Sequence, residues 1–183
     1  MTDIEMELQS AALAMGALDC ARARSMGLFN PGIAAMGSRH HQFGVARVGR
    51  CGDGLFQLDE GGNRALVVPV YEGDELVDLV AFFTSTPEQW SLRLGVGWAL
   101  GLEESLERYR WGDPLPIHKT PLEWLRAGGD GLCVVDWSSP EVKTLADFAS
   151  LIVGDEALER RIIAALSTPV RLPQIVKDTR LAA

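Results

Sequence analysis

The chain has 183 residues, of which 47% are hydrophobic and 23% are charged, and its formal net charge is −8. This composition is typical of a globular domain that needs neither a disulfide nor a metal to be stable. The negative charge disfavours nucleic acid as a partner. Three widely spaced cysteines do not suggest a disulfide framework, and acidic residues stand where a signal peptide would carry positive charge. No apolar run is long enough to span a membrane, so we expect a cytoplasmic protein.

The first predicted element is a helix over residues 3–26. Its apolar residues recur at alternating spacings of four and three, as Ile4, Leu8, Ala11, Met15 and Leu18. This spacing places them in a seam on one helix face. The seam favours packing on the sheet of the same chain. The alternative is packing on a second copy, which would give a homodimer through helix 3–26.

Residues 43–100 are predicted to form a mainly antiparallel sheet of five to seven strands. Short apolar runs are separated there by tight turns such as Cys51–Gly54 and Asp59–Asn63. The clearest signal is Ala65–Phe83, in which two apolar runs flank an acidic turn containing Gly73. This pattern is typical of a hairpin in the middle of a sheet. The hairpin resembles the central hairpin of small sensory α+β domains of the GAF type, and the resemblance carries no ligand-specific residue.

Residues 101–168 are predicted to be rich in helices. Thr120 is followed by a proline and, three positions on, by a glutamate, which is a typical helix start. A buried strand is predicted at Gly131–Val135, and an extended tail at 169–183. We therefore expect a single α+β domain over residues 1–183, with an N-terminal helix, a mainly antiparallel sheet and C-terminal helices packed on it.

Asp78 is a carboxylate in the middle of an apolar strand, on the face predicted to hold Leu76, Val80 and Phe82. A buried carboxylate needs a partner, and Arg93 in the neighbouring strand is the predicted one. The sequence leaves two roles open. Asp78 is either a structural carboxylate, held by an ion pair or by backbone N–H groups, or a general base in a cleft.

Asp136 ends the predicted buried strand just before a helix. It either caps that turn or lines a site at the end of the strand. An acid–base enzyme would need one of the two aspartates within hydrogen-bond reach of a histidine, which could be His40, His41 or His118. Asp78, Asp136 and His118 are therefore the candidate catalytic residues.

The candidate ligand-binding residues are Arg93, Trp90, Trp98 and His41. The chain has five tryptophans but only two tyrosines. An indole combines a large apolar area with a polar N–H, which suits core packing, ligand pockets and protein interfaces. The leading hypothesis is a non-catalytic binding or regulatory module for a small molecule or a protein partner. The alternative is a small acid–base enzyme.

No motif specific to one chemistry occurs in the sequence. The segment Gly95–Gly101 has the first two glycines of a dinucleotide-binding loop, but Leu100 stands where the third is required. Histidines and cysteines are present without the spacing of a metal site, and the phosphate-binding loop and the nucleophile elbow are missing. We therefore expect no metal and no cofactor.

Overall fold

A five-stranded antiparallel sheet lies at the centre of the fold, with apolar clusters on both of its faces. The computed structural model describes residues 2–28, 43–109 and 112–167. The predicted α+β class is confirmed, with its N-terminal helix, antiparallel sheet and C-terminal helices. The predicted tail at 169–183 lies outside the described residues.

The helices lie at both ends of the described chain and the main sheet lies between them. The α-helices are α1 (Asp3–Leu13), α2 (Ala17–Ser25), α3 (Leu102–Tyr109), α4 (Pro121–Arg126) and α5 (Glu156–Ser167), and a 3₁₀ helix spans Pro140–Asp147. The strands are β1 (Gly44–Arg50), β2 (Phe56–Leu58), β3 (Asn63–Glu72), β4 (Glu75–Phe83), β5 (Thr86–Leu92), β6 (Ala99–Leu100), β7 (Leu115–Ile117), β8 (Cys133–Val134) and β9 (Leu151–Val153). The main sheet has the order β2-β1-β3-β4-β5, while β6 pairs with β8 and β7 pairs with β9 outside it.

The prediction of one continuous helix over residues 3–26 is wrong, because the segment forms α1 and α2. Gly16 has an extended backbone (φ −89°, ψ 176°) and caps the start of α2, where its N–H donates to the Asp19 carboxylate at 2.9 Å. The break divides the apolar seam. Its first three members, in α1, are buried against the sheet, whereas Met15 packs in the cluster on the opposite face and Leu18 is 86% exposed.

Two clusters of apolar side chains cover the two faces of the main sheet. On one face, α1 packs on alternate residues of β1, β3 and β4. On the other face, the intervening residues pack against α4 and the segment around β8. Because both faces are buried, β3 and β4 are apolar almost throughout instead of alternating. A further core lies within the C-terminal half, between α3, α5, the 3₁₀ helix and strands β6 to β9.

The contact between α1 and β1 is close enough to require glycine at Gly44. A Cβ atom there would lie 2.3 Å from the carbonyl carbon of Ala11 and 2.5 Å from the nitrogen of Ala12. Both neighbours are helix backbone, so neither can move without displacing α1. The absence of a side chain at this position therefore sets the distance between the helix and the sheet.

We predict that Gly44→Ala destabilises the protein by about 1–3 kcal/mol, the usual cost of forcing an extra carbon into a packed interior. Urea unfolding measures this change. Gly154→Ala is the matched control, because a Cβ there meets no atom within 4 Å, and we expect it to stay within about 0.5 kcal/mol of the parent. Equal stabilities for the two variants would contradict the close contact.

Candidate functional site

The carboxylate of Asp78, in β4, is fully buried, with 0% of the residue exposed. Its Oδ1 accepts hydrogen bonds from the backbone N–H groups of Leu79, Arg93 and Leu94, at 2.7, 3.0 and 2.9 Å. Its Oδ2 accepts from the N–H groups of Val96 and Gly97, at 2.8 and 3.2 Å. Hydrogen bonds to an ionised acceptor are among the strongest in proteins, so these five donors offset the cost of burying the carboxylate.

A β-bulge decides which residues share a face with Asp78. Val77 has no partner in β3, because the register between the two strands shifts by one residue there. The predicted placement of Leu76 beside Asp78 is therefore wrong, and Leu76 packs in the cluster beneath α1. Val80 and Phe82 follow Asp78 without a further shift and lie on its face, as predicted.

Four of the five donors belong to one loop, residues 93–97, in the connection from β5 to β6. Gly95 has a φ of +75°, a backbone conformation that favours glycine. A Cβ at Gly97 would lie 2.7 Å from Cγ1 of Val70. The glycines that suggested part of a dinucleotide-binding loop therefore allow this loop to wrap closely around a buried carboxylate.

Arg93 is a partner of Asp78, as predicted, but its backbone N–H group makes the contact, at 3.0 Å, and no ion pair forms between the two side chains. Of the two ways of holding the carboxylate that the sequence left open, the structure has the backbone N–H groups. The Arg93 guanidinium instead bonds the carboxylate of Glu7 in α1, with Nε–Oε2 and Nη2–Oε1 distances of 3.0 Å each. The hydrogen bond to Glu7 raises the pKa of Arg93. This two-bond pair ties the 93–97 loop to α1.

A groove of about 770 Å³ lies where these elements meet. This α1 groove is lined by the first turns of α1, by Leu58 in β2, by the start of β4 at Glu75–Val77, and by Arg93, Leu94 and Val96 of the 93–97 loop. Since the loop directs its N–H groups at Asp78, its apolar side chains face away from the core. Leu94 is 46% exposed and Val96 is 63% exposed.

The α1 groove is apolar along its walls and acidic at its rim. Eight large hydrophobic side chains are strongly exposed in the described chain, and four of them line this groove: Met6, Leu58, Leu94 and Val96. Asp3 and Glu75 also line it. Arg93 is the one cationic side chain among its described lining residues, and its charge is matched by Glu7.

His118 belongs to a group of hydrogen-bonded residues around Asp130 that does not include Asp78. One of its ring nitrogens, Nε2, is 2.7 Å from the carbonyl oxygen of Asp130. The carboxylate of Asp130 accepts from the Tyr109 hydroxyl at 2.6 Å and from Arg108 at 2.8 Å. Within the described residues, no hydrogen bond joins His118 to Asp78 or to Asp136, and the candidate His41 lies outside those residues.

Trp90 and Asp136 do come together, in a second groove of about 500 Å³ that lies between β5 and the segment after β8. The Trp90 indole N–H donates to the carbonyl oxygen of Val135 at 2.8 Å. Asp136 caps the turn that follows, because its Oδ1 accepts from both the N–H and the hydroxyl of Ser138. Trp98, by contrast, is 3% exposed and packs in the core of the C-terminal half.

We predict that Asp78→Ala destabilises the protein by at least about 3 kcal/mol, because each buried donor left without an acceptor costs about 1–3 kcal/mol. Asp78→Asn keeps the shape of the side chain but turns an NH₂ group towards N–H donors, so we expect it to lower the free energy of unfolding as well. Urea unfolding and amide hydrogen exchange of the 93–97 loop measure both effects. Asp113→Asn, at an exposed position, is the control. Full protection of the loop amides in Asp78→Ala would contradict the role of this carboxylate.

Burial and the hydrogen bond to Asp130 raise the pKa of Tyr109 to about 12, and burial also raises the pKa of Tyr71. These are the two tyrosines of the chain. We therefore predict that neither titrates at the usual value of about 10 when tyrosinate absorbance is followed against pH in the native protein.

The folded-state pKa of Tyr109 lies above the unfolded value, so its contribution to stability is complete below about pH 10 and is lost as pH rises through about 12. Asp130→Asn removes the anionic acceptor, and we expect it to lower the pKa of Tyr109. A native midpoint near the usual tyrosine value would contradict the buried hydrogen bond.

No helix in the described part of the chain is long and apolar enough to cross a membrane. Across residues 2–28, 43–109 and 112–167, no three side chains of the metal-binding types lie close enough to hold an ion. No family model matches the chain, and comparisons with curated proteins and with solved structures found no significant match. The function must therefore be inferred from the contacts of the chain's own residues.

Proposed function

We propose that this protein is a non-catalytic interaction module whose α1 groove binds a cationic amphipathic helix of a partner protein. One observation carries the proposal. Half of the strongly exposed large hydrophobic side chains of the described chain line this groove, together with acidic residues that form no ion pair with a described residue. Arg93 lines the groove, and Asp78 holds the backbone of the 93–97 loop that forms one wall; both were selected from the sequence as candidate site residues.

The apolar side chains support a protein partner. An exposed apolar cluster with a polar rim is characteristic of interaction sites, since isolated exposed hydrophobic residues are common but contiguous ones are not. Met6 and Leu94 are 43% and 46% exposed, on α1 and on the 93–97 loop respectively. A helix with an apolar stripe would bury side chains of both walls at once.

The charges support a cationic partner. No ion pair of Asp3 or Glu75 with another described residue occurs, so both carboxylates can attract positive charge at the rim. The net charge of −8 adds a long-range attraction for cations. The same charge opposes the association of two copies, so we favour a different protein as the occupant over a second copy of this chain.

The α1 groove is preorganised by contacts within the chain. Asp78 fixes the backbone of the 93–97 loop, and the Arg93–Glu7 pair joins that loop to α1. A rigid site loses less conformational entropy on binding. The alternative acid–base function needs a carboxylate beside an imidazole, and no described hydrogen bond provides that pair.

Fluorescence anisotropy with a labelled leucine–lysine peptide, patterned as an amphipathic helix, tests the proposal. We expect the double variant Leu94→Ser/Val96→Ser to raise Kd at least tenfold, about 1.4 kcal/mol, because it removes apolar area without changing charge. The matched control is Ile152→Ser/Ile163→Ser, which removes two side chains that are 54% and 56% exposed outside the groove. We expect the control to leave Kd unchanged.

Several outcomes would overturn the proposal. If Leu94→Ser/Val96→Ser leaves Kd unchanged, or if a peptide of the same composition without the helical pattern binds as well, the peptide is held by charge alone. If both double variants weaken binding equally, the apolar contacts are not specific to the α1 groove. If the protein elutes as a dimer that Leu94→Ser/Val96→Ser dissociates, the occupant of the α1 groove is a second copy of the chain.

A further inference from the structure

The second groove, here named the tryptophan groove, is lined by Arg50, Glu88–Trp90, Val135–Ser138 and Arg161. Two indoles form part of its surface. Trp90 is held by its bond to the Val135 carbonyl, and the Trp137 ring is covered by the Arg161 guanidinium, 4.7 Å from the ring centroid. Both indoles are therefore placed by contacts within the protein, and both line the groove with apolar ring atoms.

An irregularity in the pairing of β5 with β4 borders one side of the tryptophan groove. The register with β4 passes from Phe82↔Trp90 to Phe83↔Thr86, so Pro87–Gln89 have no partner residues in β4. Bulges at sheet edges re-aim side chains and are frequent beside binding sites. Glu88 and Gln89, which line the groove, lie in this unpaired stretch.

The tryptophan groove contains charges of both signs. Arg50 and Arg161 supply two guanidinium groups, and neither forms an ion pair with another described residue. Partial burial lowers the pKa of Arg161, and a weakly hydrated guanidinium is a good partner for a carboxylate. Glu88 and Asp136 supply two carboxylates, and the described hydrogen bonds of Asp136 engage only its Oδ1.

We propose that the tryptophan groove binds a small zwitterion with an aromatic side chain, of the class of free aromatic amino acids. The ligand carboxylate pairs with Arg50 and Arg161, its ammonium group with Asp136 and Glu88, and its ring packs on the exposed indole surface. A simple anion would leave the two lining carboxylates uncompensated, and a simple cation would leave the two guanidinium groups uncompensated. A zwitterion satisfies both pairs.

Isothermal titration calorimetry with three probes that share a phenyl ring tests this assignment. L-phenylalanine carries both charges, phenylacetate only the carboxylate, and 2-phenylethylamine only the ammonium group. We expect L-phenylalanine to bind at least tenfold more tightly than either analogue. No heat from any probe, or equal affinity for L-phenylalanine and one analogue, would overturn the assignment.

Substitutions then locate the site. Arg161→Gln and Asp136→Asn are each expected to weaken L-phenylalanine binding at least tenfold, and asparagine can still cap the turn at Asp136. Arg160→Gln is the matched control, because Arg160 is the preceding residue in α5 and does not line the groove. Unchanged affinity in Arg161→Gln would overturn the site. None of these variants should alter binding of the leucine–lysine peptide, so this proposal and the proposed function fail independently.

Discussion

The carboxylate of Asp78 is the interaction on which the arrangement around the main sheet depends. A buried charge is tolerated only where it is paired or fully hydrogen-bonded, and five backbone N–H groups meet that need here. Four of them come from a loop that has no regular secondary structure. The charge therefore organises backbone that neither a helix nor a strand would hold, and the apolar side chains of the loop face solvent as a result.

Strand β5 connects the two grooves. Its middle, at Glu88–Trp90, lines the tryptophan groove, and the residues that follow its end form the wall of the α1 groove. Both sites thus depend on the edge strand of the main sheet, where fewer neighbours constrain the chain. The interior strands β3 and β4 provide the rigid support for both.

The sequence was sufficient to predict the α+β class and the central hairpin, because apolar patterning and turn residues carry those signals. It also singled out Asp78, since a carboxylate in an apolar strand is conspicuous. Arg93 was predicted as a partner, and backbone N–H groups were one of the two expected ways of holding the carboxylate. The other donors could not be predicted individually, because every residue except proline has a backbone N–H group. The break at Gly16 was missed because apolar spacing continued through it.

The pair between Arg93 and Glu7 joins residues that are 86 positions apart. During synthesis α1 leaves the ribosome before β1, β3 and β4, so its apolar face has no sheet to cover it until those strands have followed. Contacts of such long range also slow folding, because a long loop must close before they form. The apolar face of α1 therefore stays uncovered while the strands of the main sheet are synthesised, and during that time it needs protection from aggregation.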